Sequence, residues 1–277
     1  MTLLKISGWS KMVMIISAAV MFSAATLTYT PIPLHLKPEK LIAKMEEALG
    51  GKERFYNMLD VQFDYVFEYV ESGKKDISEE RMIFEGEQTW ARYTTHSAIV
   101  SPDVEGEVIH TLINHQPYVF IDGQQVDDER SLKSCASIRK ANYYWFTMMY
   151  KLSDPGVLLS AEGHEKIGDV LYHKVKVSYD PDEVGKEDND TYLLYLNSAT
   201  HLVDQFHFAM PEDGSYMGVK VEVEYDTVNG LKVPAKRSAY MPDENGKYST
   251  QPRLIQTSTN FRFNNGFNVK GWTIDQK

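Results

Sequence analysis

The feature that most constrains this chain is an alternation of apolar and polar side chains, with a period of two, that returns along most of its length. Val61, Phe63, Tyr65, Phe67 and Tyr69 alternate with Gln62, Asp64, Val66, Glu68 and Val70, and Val219, Val221, Val223 and Tyr225 alternate with Lys220, Glu222, Glu224 and Asp226. Successive side chains of a strand point to opposite faces, so these segments make strands with one dry and one wet face, as antiparallel sheets have. Comparable runs occupy residues 81–87, 89–97, 107–113, 118–121, 171–179, 191–196, 202–208, 231–240 and 254–263. Asp122-Gly123, Asn229-Gly230, Asn245-Gly246 and Asn265-Gly266 supply the left-handed turn residues that tight hairpins need. The expectation is a meander of about ten to eleven strands in which sequential strands are neighbours.

Two segments break the period. Leu41, Ile42, Met45, Ala48 and Leu49 fall at helical spacing before Gly50-Gly51, which predicts one amphipathic helix from residue 38. In residues 127–150, Leu132, Cys135, Ala136 and Arg139 suit a helix, and the crowded run Tyr143, Tyr144, Trp145, Phe146, Met148, Met149 and Tyr150 follows. A face that rich in apolar groups is not left in water, so the segment must cover something apolar. The predicted fold class is mainly β (α+β): an antiparallel open half-barrel with an N-terminal helix and a central helical lid. Neither an internal repeat nor a Ser/Gly linker divides it, so residues 38–277 are expected to form one domain.

The N-terminus reads as an address. Lys5 and Lys11 precede an apolar stretch over residues 12–22 and the small residues Ser23, Ala24 and Ala25, the order of a secretory signal peptide spanning residues 1–25. Residues 26–37, with Pro31 and Pro33, form a linker. The localisation expected is periplasmic or otherwise exported, with an uncleaved membrane anchor as the alternative, because a helix of roughly 20 apolar residues spans a bilayer. No Cys follows the apolar stretch to accept a lipid. A net charge of −10 argues against nucleic acid as a partner. The single Cys cannot form an internal disulfide.

Catalytic signatures are absent: there is no G-x-S-x-G elbow, no H-E-x-x-H, no Walker loop and no G-x-G-x-x-G. His201 and His207 would share a face of a regular strand, and His173 is in register with Leu171, Val175 and Val177. The plainer reading makes His173 a hydrogen-bonded core residue and the other two surface residues. Cys135 is a nucleophile only if a base lowers its pKa; otherwise it is a structural helix residue. The acidic residues between Asp180 and Asp190 lack the order of a calcium loop and read as a solvated hairpin tip. No cofactor and no metal are expected, and no enzymatic activity.

In their arrangement these elements resemble the periplasmic lipoprotein carriers and acceptors of the LolA/LolB type. Residues 118–124 (YVFIDGQ) look like that family's strand and Asp-Gly turn. Residues 192–202 (YLLYLNSATHL) look like its strand, Asp-Pro-x-Thr, strand hairpin, with Asn197-Ser198-Ala199-Thr200 in place of the Asp-Pro start. The resemblance spans roughly residues 38–263. It implies a non-catalytic carrier whose helices open to admit an acyl chain of a lipid or lipoprotein, with an envelope acceptor protein as a further partner; a monomer is expected. On the concave side of such a half-barrel we place Phe63, Phe67, Trp90, Trp145, Phe146, Met149, Val175, Phe206 and Val221 as ligand-binding residues. Each acyl CH2 buried there contributes about 0.8 kcal/mol, so no catalytic group is needed. Two rival readings remain. One is a structural or protein-interaction module with a filled barrel, acting through its acidic outer face or a strand edge. The other is a hydrolase or metal enzyme using His173, His201 or Cys135.

Overall fold

A computed structural model describes residues 36–185, 189–209 and 218–272. The signal-peptide segment, the alternative anchor and nearly all of the linker lie outside the described residues. Helix α1 (Pro38–Ala48) and the short α2 (Lys52–Tyr56) lead into strands β1 (Asp60–Tyr69), β2 (Lys75–Ile83), β3 (Gln88–His96), β4 (Val108–Ile113), β5 (Gln116–Ile121) and β6 (Gln124–Val126). Helix α3 (Glu129–Lys151) follows, then β7 (Val157–Ile167), β8 (Val170–Tyr179), the one-turn α4 (Pro181–Val184), β9 (Thr191–Asn197), β10 (Val203–Ala209), β11 (Val219–Val228), β12 (Leu231–Tyr240) and β13 (Leu254–Phe263).

The strands make one antiparallel sheet in the order β6-β5-β4-β3-β2-β1-β13-β12-β11-β10-β9-β8-β7. The chain enters at the middle of the sheet and meanders out to one edge. It then crosses over through α3 and meanders back from the other edge until β13 pairs with β1. The result is an open half-barrel with α3 in its hollow, as the alternation and the apolar run of residues 143–150 require.

The thirteen strands exceed the about ten to eleven expected, for identifiable reasons. In β2 the buried face carries Asp76, Ser78 and Glu80 beside Met82, so the pattern of burial alternates while hydrophobicity does not. Strand β7 is exposed along Ser160 to Ile167 and has no dry face to betray it. Strand β6 has only three residues. The Asp122-Gly123 and Asn229-Gly230 turns take φ of 47° and 74°, and 52° and 76°, as two-residue hairpins demand. Asn265-Gly266 makes no hairpin. It begins a C-terminal strap whose backbone N–H groups at Asn265, Gly266 and Phe267 donate to the buried Asp60 carboxylate.

Helix α1 begins at Pro38, where the missing N–H costs nothing, and buries Leu41, Ile42, Met45 and Ala48. Its end is fixed against the sheet, because the Leu49 carbonyl accepts from Lys232 N at 2.8 Å and from Tyr150 Oη at 2.9 Å. Gly50 (φ +105°) is required there, since a Cβ would lie 2.1 Å from the Gly230 carbonyl oxygen. Helix α3 starts at Asp128, whose carboxylate accepts from Ser131 N at 3.0 Å. Its second half buries Tyr143, Phe146, Met148, Met149 and Tyr150 in the main core, alongside Phe63, Leu194 and Phe206. Its first half is tied down by Arg139, which donates to both Glu80 oxygens and to Tyr93 Oη; all three side chains are buried.

Candidate functional site

The half-barrel is filled along much of its length. Phe63 stacks on Phe146 with ring centroids 5.2 Å apart, and Met149 and Val175 are closed core residues. Near one end the packing stops. There the inward-facing residues of β10 to β13 and β1 form two rungs fixed by strand register. One consists of Phe206, Val221, Ala239, Leu254 and Tyr69, and the other of Val223, Arg237, Gln256 and Phe67. Trp145 of α3 lies over them, its ring centroid 5.4 Å from that of Phe206 and 5.3 Å from that of Phe208. Beneath the half-buried indole is an open groove of about 350 Å³, whose walls include Tyr69, Phe208, Val221, Ala239 and Leu254. Met241, 41 % exposed, and Arg253 stand at its mouth.

One charged group reaches into this apolar space. Arg237 is buried, and its Nη1 donates to the Trp145 carbonyl while its guanidinium lies 5.6 Å from the centroid of the Trp145 ring. Desolvation pulls its pKa down, against the opposing influence of Tyr65 and Tyr225. Among the described residues it forms no salt bridge and no other hydrogen bond. A second cavity, of about 560 Å³, lies on the other flank of α3. Glu87, Lys140, Lys151 and Asp190 line it, together with Tyr144 and Tyr179, which hydrogen-bond to each other through their hydroxyls. Though larger, it offers charges and hydroxyls where the first offers hydrocarbon.

Of the nine residues expected on the concave side, Trp145 and Val221 line the groove, and Phe206 and Phe67 belong to its rungs. Phe63, Phe146, Met149 and Val175 lie in the filled part. Trp90 is elsewhere. It lies on the convex face in a separate cluster with Ile109, Ile113 and Trp272, under the guanidinium of Arg81 at 4.3 Å. Strand parity explains this: Ala91 and Tyr93 face α3, so Trp90 faces away. Sequence reasoning missed Arg237, Gln256 and Leu254, although the register running across from Val221 would have located them.

The other candidates do not converge. Cys135 is fully buried, donates to the Thr111 and Tyr118 carbonyls, and has its thiol pushed up to about 11 by burial. His173 is buried on β8. His201 is buried as well, in the turn between β9 and β10 with φ +63°, so it is neither a surface residue nor on a common strand with His207. Among the described residues no three His, Cys, Asp or Glu side chains are grouped to hold a metal. The described part of the acidic stretch is the exposed tip of the β8–β9 hairpin, and within it Pro181–Val184 form the one-turn α4, capped by Asp180. The Asn197 carboxamide accepts from Ala199 N at 2.9 Å and Thr200 N at 3.2 Å, doing the turn-capping work of the Asp that it replaces.

Residues 39–230 match the model of a family of unknown function, DUF6503. The chain belongs to this family. The match ends before β12, so the strand that carries Arg237 lies beyond it. The sequence matches no curated protein. Solved structures share the fold at low identity. A DUF1329 family protein from Desulfovibrio piger superposes with a TM-score of 0.52 at 11 % identity, covering 86 % of this chain and 98 % of that one. A LolA superfamily protein from Nitrosomonas europaea does so with a TM-score of 0.51 at 10 % identity, covering 87 % and 99 %. The fold of this DUF6503 protein is that of the LolA-like superfamily.

Proposed function

We propose that the protein is an exported, non-catalytic carrier that holds one acyl chain of a lipid or lipoprotein in the groove under Trp145. The observation that carries this reading is an apolar groove of about 350 Å³, open at Met241, on the concave side of the sheet, where the larger second cavity is lined by charges and hydroxyls. Ligand pockets run from about 300 to 1,000 Å³, and one at the lower end suits a single chain rather than the several of a triacylated anchor. The likeness of fold to a LolA superfamily protein supports the same class of role. Export rests on the N-terminal signal pattern, and an envelope acceptor would receive the cargo.

Native mass spectrometry of the purified protein, with displacement of a fluorescent fatty acid, tests the reading. A co-purifying or titratable single-chain lipid is expected. Protein that carries no lipid and takes up neither fatty acid nor acylated peptide would end it. A second reading, a module that recruits a partner strand, is favoured by one observation: β7 is an eleven-residue sheet edge with Ser160 to Ile167 exposed. A tight protein complex lost on replacing Ala161 with Pro, in the absence of any lipid uptake, would favour it.

A further inference from the structure

The fold buries two arginines in its hollow and treats them differently. Arg139 is matched by the Glu80 carboxylate, as a buried charge should be, because an unpaired one costs several kcal/mol. Arg237 has no carboxylate partner among the described residues: its guanidinium meets the Trp145 carbonyl and ring, with Tyr65 and Tyr225 as its electrostatic neighbours, and it lies on the wall of the groove. Directly across the ladder is Gln256, whose carboxamide lines the same groove and makes no hydrogen bond among the described residues. The guanidinium fork and a neighbouring amide donor form a receptor for a planar anion, set at the inner end of a hydrocarbon channel.

Resting on the acyl-chain reading, we propose that the ligand is a single-chain carboxylic acid, bound head-first. Its carboxylate pairs with Arg237 and Gln256, and its tail runs past Val221, Ala239 and Leu254 to the mouth at Met241. The charge balance favours a carboxylate. One guanidinium neutralises one negative charge, whereas a phosphate monoester carries about −1.5 to −2 at neutral pH and would leave charge unmatched in a dry site. Arg253, exposed at the mouth, is the other cation of the groove and serves as the control.

Isothermal titration of the purified protein with dodecanoic acid, dodecanol and dodecyl phosphate tests this. The acid is expected to bind at least ten-fold more tightly than the alcohol. Arg237→Met, which keeps the volume, should collapse that ratio toward one while leaving dodecanol binding in place; Arg253→Gln should leave the ratio intact. Equal binding of acid and alcohol by the unaltered protein overturns the head-group assignment and leaves the groove reading standing, without depending on any variant. Tighter binding of the phosphate, or loss of the ratio in Arg253→Gln alone, also overturns it. Binding of none of the three removes the acyl-chain reading and this inference with it.

Discussion

Arg139 of α3 and Glu80 of β2 form an ion pair in which neither side chain is exposed to solvent. Six residues further along the same helix, the backbone of Trp145 is held by one hydrogen bond from Arg237. The helix is therefore fixed on both sides of Trp145, by the ion pair at Arg139 and by the Tyr150 hydroxyl, which donates to the Leu49 and Lys232 carbonyls. Removing one partner of a buried pair leaves a charge with no countercharge in a dry place. Glu80→Leu or Arg139→Met alone should cost about 3–5 kcal/mol, and the double variant distinctly less than either single one. Urea denaturation of the three variants measures this; single variants within about 1 kcal/mol of the parent would contradict it.

Trp145 and Trp90 separate binding from stability. Trp145→Ala should weaken fatty-acid binding by ten-fold or more, about 1.4 kcal/mol, because it removes the roof of the groove. Trp90→Ala should leave binding unchanged and destabilise the fold by about 3–5 kcal/mol, since it empties the convex cluster beneath Trp272. The opposite assignment of effects, read from titrations and melts on the two variants, would mean that the faces are wrongly assigned.

His110 makes stability depend on pH. It is buried, with Nδ1 lacking a partner among the described residues, and burial, aided by the charge of Arg139, pulls its pKa from 6.5 to about 3. Below pH 6.5 the unfolded chain takes up a proton that the folded chain refuses, so this contribution is complete above pH 6.5. It falls by up to about 1.4 kcal/mol for each pH unit toward 3. Urea midpoints between pH 7 and 5 should decline in the parent and flatten in His110→Gln; parallel curves would show that His110 plays no part.

Cys135 should resist alkylation. Its thiol, buried and pushed up to about 11, presents almost no thiolate at pH 7.5. Mass-detected labelling with iodoacetamide should be negligible in the folded protein and complete in urea. Rapid labelling with the circular dichroism spectrum intact would contradict the burial.

The sheet and its lid were legible wherever hydrophobicity and burial go together. The runs around Val61 and Val219, the apolar stretch from Tyr143 to Tyr150, and the helix over Leu41 to Ala48 all report their surroundings directly. Legibility failed where the two part company. In β2 the buried face holds Asp76, whose carboxylate accepts from the backbone N–H groups of Ala98, Ile99 and Val100, and Glu80, which meets Arg139. Each is polar for a partner far away in sequence. Strand β7 fails for the opposite reason, having little to bury.

The site was legible only in outline. Aromatic content pointed to an apolar hollow, but which part is filled depends on how α3 packs, and Phe63 is spoken for by Phe146 rather than by a ligand. Trp90 reads like Phe63 in isolation; only strand parity sends it to the other face. Arg237 sits in a strand that alternates unremarkably, and its importance comes from the absence of a carboxylate among its described neighbours.

The pairing of β1 with β13 joins residues almost two hundred positions apart, while every other strand pairing among the described residues is with a sequence neighbour. Each wing can be assembled from local hairpins, but the seam between them waits for the final strand to emerge. A polypeptide stopped short of residue 254 would own both wings and still lack one stave of the vessel, the strand β13 that carries Leu254 and Gln256 at the seam. If the groove holds an acyl chain as proposed, that capacity waits for β13, after both wings have been made.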